Sequence, residues 1–120
     1  MNNSPAVAFM KDCQGRYVYI NETLERDFNV KFADLHLKTD FDWLPQDIAK
    51  QLHENDCYVL STGKNLQVIE TIPDFNGCLH YWLCSKFLFT DSREQQLVGG
   101  VAIDITEQNF LNNSYLKKKN

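Results

Sequence analysis

Three things are missing from this chain of 120 residues. None of its four cysteines, Cys13, Cys57, Cys78 and Cys84, forms a Cys-x-x-Cys pair, the spacing that a zinc site or a dithiol redox centre uses. No apolar run approaches the roughly 18 residues of a membrane span, and Met1-Asn2-Asn3-Ser4-Pro5 carries no charged and apolar export signal. Nor is there a concentration of charge of one sign. The balance of 12 Lys and Arg against 16 Asp and Glu gives a net charge of −4, and the basic residues are scattered except for Lys117, Lys118 and Lys119. A phosphate-binding groove needs clustered cations, so no nucleic-acid contact is expected of this domain. No membrane contact is expected either, and the location is expected to be cytoplasmic.

A catalytic constellation is also absent. His36, His53 and His80 stand in the contexts Leu35-His36-Leu37, Leu52-His53-Glu54 and Leu79-His80-Tyr81, which match no hydrolase or metalloprotease motif. No nucleophile, base and orienting group converge in the sequence, so the domain is not expected to be an enzyme. Metal binding by Cys78 and His80 lacks a second pair of ligands and is not expected.

What is present describes one domain with a core of its own. The composition is 43% hydrophobic and 12% aromatic, and a chain of this length buries on the order of two thirds of its unfolded surface. If Cys78 and Cys84 lie on one strand they are about 20 Å apart, beyond disulfide reach. The four thiols are expected to be reduced and mostly buried.

Ala6–Met10 and Arg16–Ile20 are apolar or aromatic segments around a turn in which Gly15 can take a positive φ, the pattern of a hairpin. Asn21 can cap a short helix over Glu22–Phe28, with Leu24 and Phe28 on its buried face. Val30–Trp43 has no sustained period and reads as short turns. Pro45 suits the first position of one long helix running to Thr62, with Ile48, Leu52 and Val59 on one stripe and Gly63 as its stop. The period then changes to two over Leu66–Ile72, Leu79–Thr90 and Gln96–Ile105, giving three antiparallel strands. In the middle strand His80, Trp82, Cys84 and Leu88 share one face, and Tyr81, Leu83, Phe87 and Phe89 share the other. The economical arrangement is α+β: one five-stranded antiparallel sheet with helices on a single face.

This pattern resembles the PAS domain family of sensory modules over nearly the whole chain. The resemblance rests on Phe9–Asn21, which looks like the opening hairpin and the Asn that starts the next helix, and on Leu60-Ser61-Thr62-Gly63-Lys64 at the end of the long helix. It rests most of all on Leu97–Glu107, which closes in Asp104-Ile105-Thr106. The chain departs from the family at Asp91-Ser92-Arg93-Glu94-Gln95, where an Asp and Gly turn is usual, and a longer, looser loop is expected there.

The resemblance implies the strand order 2-1-5-4-3, a single sensory domain over residues 1–108, and an exit helix or flexible tail over 109–120. That tail holds Phe110, Leu111, Tyr115 and Leu116, and the stop at Asn120 after three lysines suggests a piece of a longer protein. It further implies an output domain in the same chain, often a histidine kinase of a two-component system, a cyclic-dinucleotide enzyme or a transcription regulator. The signal would pass through Asp104, Ile105 and Thr106. A homodimer is expected, through the outer sheet face or the terminal segments, with Trp82 and Leu88 supplying apolar surface.

For ligand binding, Phe9, Tyr19, Phe28, Phe41, Trp43, Leu52, Val68 and Ile72, with residues of the last two strands, are expected to line a pocket for a small apolar or aromatic molecule, and the alternative is that they fill the core of a ligand-free dimerisation module. No charged anchor for a ligand is identifiable and no cofactor is expected. Some relatives bind haem through a His on the long helix, which here makes His53 the haem candidate. No cysteine lies in the segment that flavin photochemistry requires.

Overall fold

Strand β1 (Val7–Lys11) and strand β2 (Tyr17–Ile20) form the opening hairpin in the computed structural model, which describes residues 5–107. Helices α1 (Glu22–Phe28) and α2 (Phe32–Leu35) follow, then a 3₁₀ turn at Asp40–Asp42 and the long helix α3 (Gln46–Thr62). Strands β3 (Leu66–Pro73), β4 (Leu79–Thr90) and β5 (Gln96–Asp104) complete the order. The strands make one antiparallel sheet in the order β2-β1-β5-β4-β3. The two chain ends meet at its centre, where β1 pairs with β5.

Local chemistry accounts for the boundaries. The Asn21 side chain caps α1 by accepting from Leu24 N at 3.0 Å, and it ties the helix to the sheet by accepting from Ala8 N at 3.1 Å and donating to Ala6 O at 3.0 Å. Asn29 ends that helix in the left-handed region at φ 54°. Pro45 stands at the N-cap position of α3, one residue before the first helical position expected for it, with its carbonyl accepting from Ala49 N at 2.9 Å, and Gly63 at φ 70° closes the helix by donating to Val59 O at 2.9 Å.

The three hairpin turns repeat one solution. In each, an Asp donates its N–H to the carbonyl four residues on, at 2.9 Å (Asp12 to Arg16), 2.8 Å (Asp74 to Cys78) and 3.0 Å (Asp91 to Gln95). Its Oδ1 accepts from the amides two and four residues ahead, at 2.9 Å in every case. The residue three ahead takes a positive φ: Gly15 at 81°, Gly77 at 85° and Glu94 at 64°. The longer, looser loop expected at 91–95 is therefore corrected to a tight turn. The aspartate organises it, and Glu94 accepts the left-handed backbone that glycine takes in the other two.

Helices cover one face of the sheet. Facing them are Val7, Phe9 and Lys11 of β1, Val68, Glu70 and Ile72 of β3, Trp82, Cys84, Lys86 and Leu88 of β4, and Val98, Gly100 and Ala102 of β5, as the pairing register requires. Trp82, expected as outer apolar surface, is 5% exposed and belongs to the core. Leu88 is likewise on the inner side, where its Cδ2 approaches Gly63 at the end of α3. The outer apolar surface is instead made by Tyr19, Ile69, Val101 and Ile103. The exit helix or tail expected over 109–120, and the domain limit at 108, lie outside the described residues.

No helix among the described residues is long and apolar enough to cross a membrane.

Candidate functional site

The inward faces that periodicity marks as core carry four charged residues, one on each of four elements. Lys11 continues the Val7 and Phe9 stripe, Glu70 sits between Val68 and Ile72, Lys86 follows Trp82 and Cys84, and Asp56 shares the buried face of α3 with Ala49, Leu52 and Val59. The fold brings them together with Asp40 of the 3₁₀ turn. Lys11 Nζ lies 2.6 Å from Asp40 Oδ2 and 2.8 Å from Asp56 Oδ2. Lys86 Nζ lies 2.8 Å from Asp56 Oδ1 and 2.6 Å from Glu70 Oε2.

The remaining carboxylate oxygens are also engaged. Asp40 Oδ1 accepts from the Tyr17 hydroxyl and Glu70 Oε1 from Cys84 Sγ at 3.2 Å, while Glu70 Oε2 takes a second donor from Asn55 at 3.0 Å. Every carboxylate oxygen of the cluster therefore has a donor. That is the condition under which burial of so many charges is tolerable, because an uncompensated buried ion costs several kcal/mol. Burial works against the ammonium of Lys11, but Tyr17, Asp40 and Asp56 outweigh it and hold the pKa well above that of an ordinary lysine. Burial likewise opposes charge on Lys86, and Asp56 and Glu70 prevail and raise its pKa. Asp56, against its own burial, is held below the usual carboxylate range by the two ammonium groups. The Cys84 thiol is pushed up by burial and by the neighbouring Glu70 carboxylate, so it stays protonated.

Phe9 is the aromatic floor of this cluster. Its ring centroid lies 5.0 Å from Lys11 Nζ and 5.8 Å from Lys86 Nζ. Gly100 makes the placement possible, since a Cβ there would fall 2.3 Å from Phe9 Cζ.

A cavity of about 40 Å³ lies between the sheet and the helices. One end is bounded by Lys11, Tyr17, Glu70, Cys84 and Lys86, and the rest by apolar and aromatic side chains that include Phe28, Trp43 and Trp82. Phe28 stands between the two indoles, with ring centroids 5.7 Å from Trp43 and 5.3 Å from Trp82. The Nε1 atoms of Trp43 and Trp82 are both buried without a hydrogen-bond partner among the described residues. Such donors each cost about 1–3 kcal/mol when unmatched. Phe28, Trp43 and Leu44 also border an open groove of about 730 Å³ outside, so they partition the cavity from solvent.

The third feature lies where β5 ends. His80 Nδ1 is 2.7 Å from Asp104 Oδ2, and its Nε2 is 2.9 Å from Asp74 Oδ2 in the β3–β4 turn. Ile105 N donates to Tyr81 O at 2.8 Å, and Tyr81 N donates to Thr106 Oγ1 at 3.0 Å. Two successive residues of β4, His80 and Tyr81, thus hold Asp104, Ile105 and Thr106, and the next residue, the cavity residue Trp82, is the ladder partner of Asp104. Partial burial disfavours protonated His80, but the two carboxylates outweigh it and raise its pKa.

Of the residues expected to line the pocket, Phe9, Phe28, Trp43, Leu52 and Ile72 do so. Tyr19 and Phe41 are 46% and 39% exposed, and Val68 packs against the core without reaching the cavity. His53 is exposed on α3, 3.4 Å from Cys57 Sγ and stacked edge-on to Phe41, beside a separate pocket of about 50 Å³. Trp82, Cys84, Lys86 and Ala102 are the residues of the last two strands that line it, and Lys11, Tyr17 and Glu70 come in addition. For Lys11, Glu70 and Lys86 the signal in the sequence is charge at positions where the strand period calls for apolar side chains. The cysteines are all free, as expected, but Cys13, Cys57 and Cys78 are exposed and only Cys84 is buried.

A five-stranded sheet in this order, with helices on one face over a central cavity, defines the α+β class of small sensory modules. The PAS fold family model matches residues 1–109, and the chain belongs to that family. Among solved structures, the Vibrio cholerae protein VqmA in a ligand and DNA complex superimposes with a TM-score of 0.76 at 25% identity, over 87% of this chain and 48% of VqmA. The PAS domain of the quorum-sensing receptor RpfR from Cronobacter turicensis, in complex with BDSF, superimposes with a TM-score of 0.69 at 18% identity, over 88% of this chain and 99% of that one. The uncharacterized protein y4lL of Sinorhizobium fredii is 28% identical over 110 residues, which are 89% of this chain and 13% of that protein. The chain thus spans a small part of that relative and about half of VqmA.

Proposed function

We propose that this PAS domain is a small-molecule receptor that reports occupancy of its central cavity through the end of β5. The observation that carries the reading is the cavity itself, lined by side chains from the sheet and the helices and separated from the outer groove by Phe28, Trp43 and Leu44. Sites of this kind, mostly apolar with a few placed polar groups, are where small ligands bind. VqmA and RpfR, both solved with ligands, support it.

Transmission follows from connectivity. A ligand against Trp82 bears on the strand segment whose neighbours Tyr81 and His80 hold Ile105, Thr106 and Asp104. If two arrangements of that segment differ in affinity for the ligand, binding shifts the population between them and moves whatever follows residue 107. The domain acts in the cytoplasm as part of a homodimer and has no catalysis of its own. Its output is a further domain of the same protein, with a DNA-binding regulator, as in VqmA, favoured over a histidine kinase. The apolar outer surface of Tyr19, Ile69, Val101 and Ile103 is the dimer surface.

Native mass spectrometry of the protein as purified tests this. A retained small mass, or saturable uptake from a metabolite extract, is expected. A protein that retains and takes up nothing, yet dimerises, is a scaffold with a filled core.

A further inference from the structure

We propose that this domain has a second input, the proton: the imidazole of His80 is a proton-operated latch that ties the exit of the chain to the β3–β4 turn. The inference rests on the reading that the end of β5 is the output path, and it is independent of what the cavity binds.

The hydrogen bonds at the ring require the proton. His80 Nδ1 lies 2.7 Å from Asp104 Oδ2, and Nε2 lies 2.9 Å from Asp74 Oδ2. An ionised carboxylate only accepts, while a neutral imidazole donates from one nitrogen and presents a lone pair at the other. Both contacts are therefore hydrogen bonds only when the ring is an imidazolium. Loss of the proton sets a lone pair against a carboxylate oxygen at one of them, and that contact opens. Asp104 on β5 and Asp74 in the β3–β4 turn are the charged groups paired with the ring among the described residues, and β3 contributes its ladder partner Ile72, which does not titrate.

Each of these aspartates divides its oxygens between two tasks. Asp104 Oδ1 accepts from the Thr106 N–H at 3.0 Å and from the Thr106 hydroxyl, whose oxygen in turn accepts from Tyr81 N at 3.0 Å. That oxygen shapes the exit. Asp74 Oδ1 accepts from the amides of Asn76 and Cys78, both at 2.9 Å, and shapes the turn. The second oxygen of each goes to His80. Asp12, in the equivalent turn between β1 and β2, spends its second oxygen inside its own turn, on Arg16 Nε at 2.7 Å. The Asp74 turn is thus joined to the exit by one ring and one proton.

The position suits a switch. The turn contributes Asp74, Phe75 and Gly77 to the outer groove, across from Phe28, Trp43 and Leu44, which separate that groove from the cavity. The His80 side chain is 31% exposed, so solvent protons reach it. Since the two carboxylates hold its pKa above the ordinary 6.5, the latch is closed at and below pH 6.5 and opens as pH rises through the raised value. Alkalinisation frees the exit from the turn, and acidification locks them together.

The test is nuclear magnetic resonance of the whole chain from about pH 5 to about pH 9, reading the ring nitrogens of His80 and the solvent exchange of the Ile105 and Tyr81 amides. Both ring nitrogens are expected to carry protons at pH 6.5, with a midpoint above that value, and Asp74→Asn is expected to lower it. Below the midpoint the two amides exchange more slowly than in His80→Gln at the same pH, by up to about fivefold for a partly exposed ion pair, and above it the two chains exchange alike. A ring midpoint at or below 6.5, or amide exchange equal in the two chains at every pH, overturns the latch, and the ring titration of the wild-type chain stands whether or not a variant folds. Either result leaves the receptor reading intact. A protein that retains and takes up no small molecule removes that reading and leaves the latch.

Discussion

Replacing Lys86 with Met tests the buried ionic cluster, the feature that most constrains this domain. Lys86 is 1% exposed and bridges Asp56 at 2.8 Å and Glu70 at 2.6 Å. Methionine has similar length, so packing is largely kept and the perturbation is electrostatic. Formal charge in the cluster goes from 2 − 3 = −1 to 1 − 3 = −2, with Glu70 left without a cation. Removing one partner of a buried pair costs about 3–5 kcal/mol, a large share of the ~5–15 kcal/mol that holds a typical domain together. At ~4–8 °C per kcal/mol for domains near this size, Tm falls by roughly 15 °C or more.

The informative control is the double variant Lys86→Met with Glu70→Gln. It restores the count to 1 − 2 = −1, keeps a hydrogen-bonding side chain for Asn55 and Cys84, and leaves Lys11 to neutralise Asp56. At least half of the lost stability is expected to return. Urea and thermal denaturation followed by circular dichroism measure both variants. A loss below about 1 kcal/mol in the single variant, or a double variant no more stable than the single one, would show that the cluster is not electrostatically coupled as its geometry requires.

Three further outcomes follow from other parts of the molecule. Glu94→Gly relieves the left-handed backbone at φ 64° and is expected to stabilise by up to ~1 kcal/mol; an unchanged or lower urea midpoint would show that the turn is not strained there. The His80 clamp stabilises below the ordinary histidine pKa of 6.5, because the folded pKa is raised, and that contribution disappears as pH rises through the folded value. At the acid end Asp104 and Asp74 are held below 3.8, so their contribution is lost only as pH falls through those depressed values. A pH series of Tm should show the alkaline loss in the wild-type chain and not in His80→Gln. Finally, Cys13, Cys57 and Cys78 are exposed and Cys84 is buried, with a thiol held protonated, so iodoacetamide should label three sites promptly and Cys84 only in denaturant. Prompt fourfold labelling would contradict the closed core.

Much of the fold was legible from short-range pattern. Asn21 before Glu22, Pro45 and Gly63 around a 3.6-residue stripe, and the period of two from Leu66 onward specify elements because each signal acts within a few residues. The candidate site was half legible. Phe9, Phe28, Trp43, Leu52 and Ile72 are apolar residues in phase with core positions and were found that way, whereas Tyr19 and Phe41 are just as apolar but face out. The tight turn at Asp91 lacks the glycine that marks such turns in a sequence, and the aspartate hydrogen bonds that it shares with Asp12 and Asp74 define it.

The amino-acid sequence by itself determined most of the elements and their order, since helix caps and strand alternation are local, while which face of β4 turns inward came only with the fold. Lys11, Asp56, Glu70 and Lys86 also lie on inward faces, but position in the sequence does not distinguish them from solvated charges. Only the tertiary structure decided that these four meet one another and Asp40. Their partners lie 29 and 45 residues away for Lys11 and 30 for the Lys86 to Asp56 contact, and such pairings depend on how β1, β4, β3 and α3 stack. Only there do charges scattered along the chain become a closed ionic network.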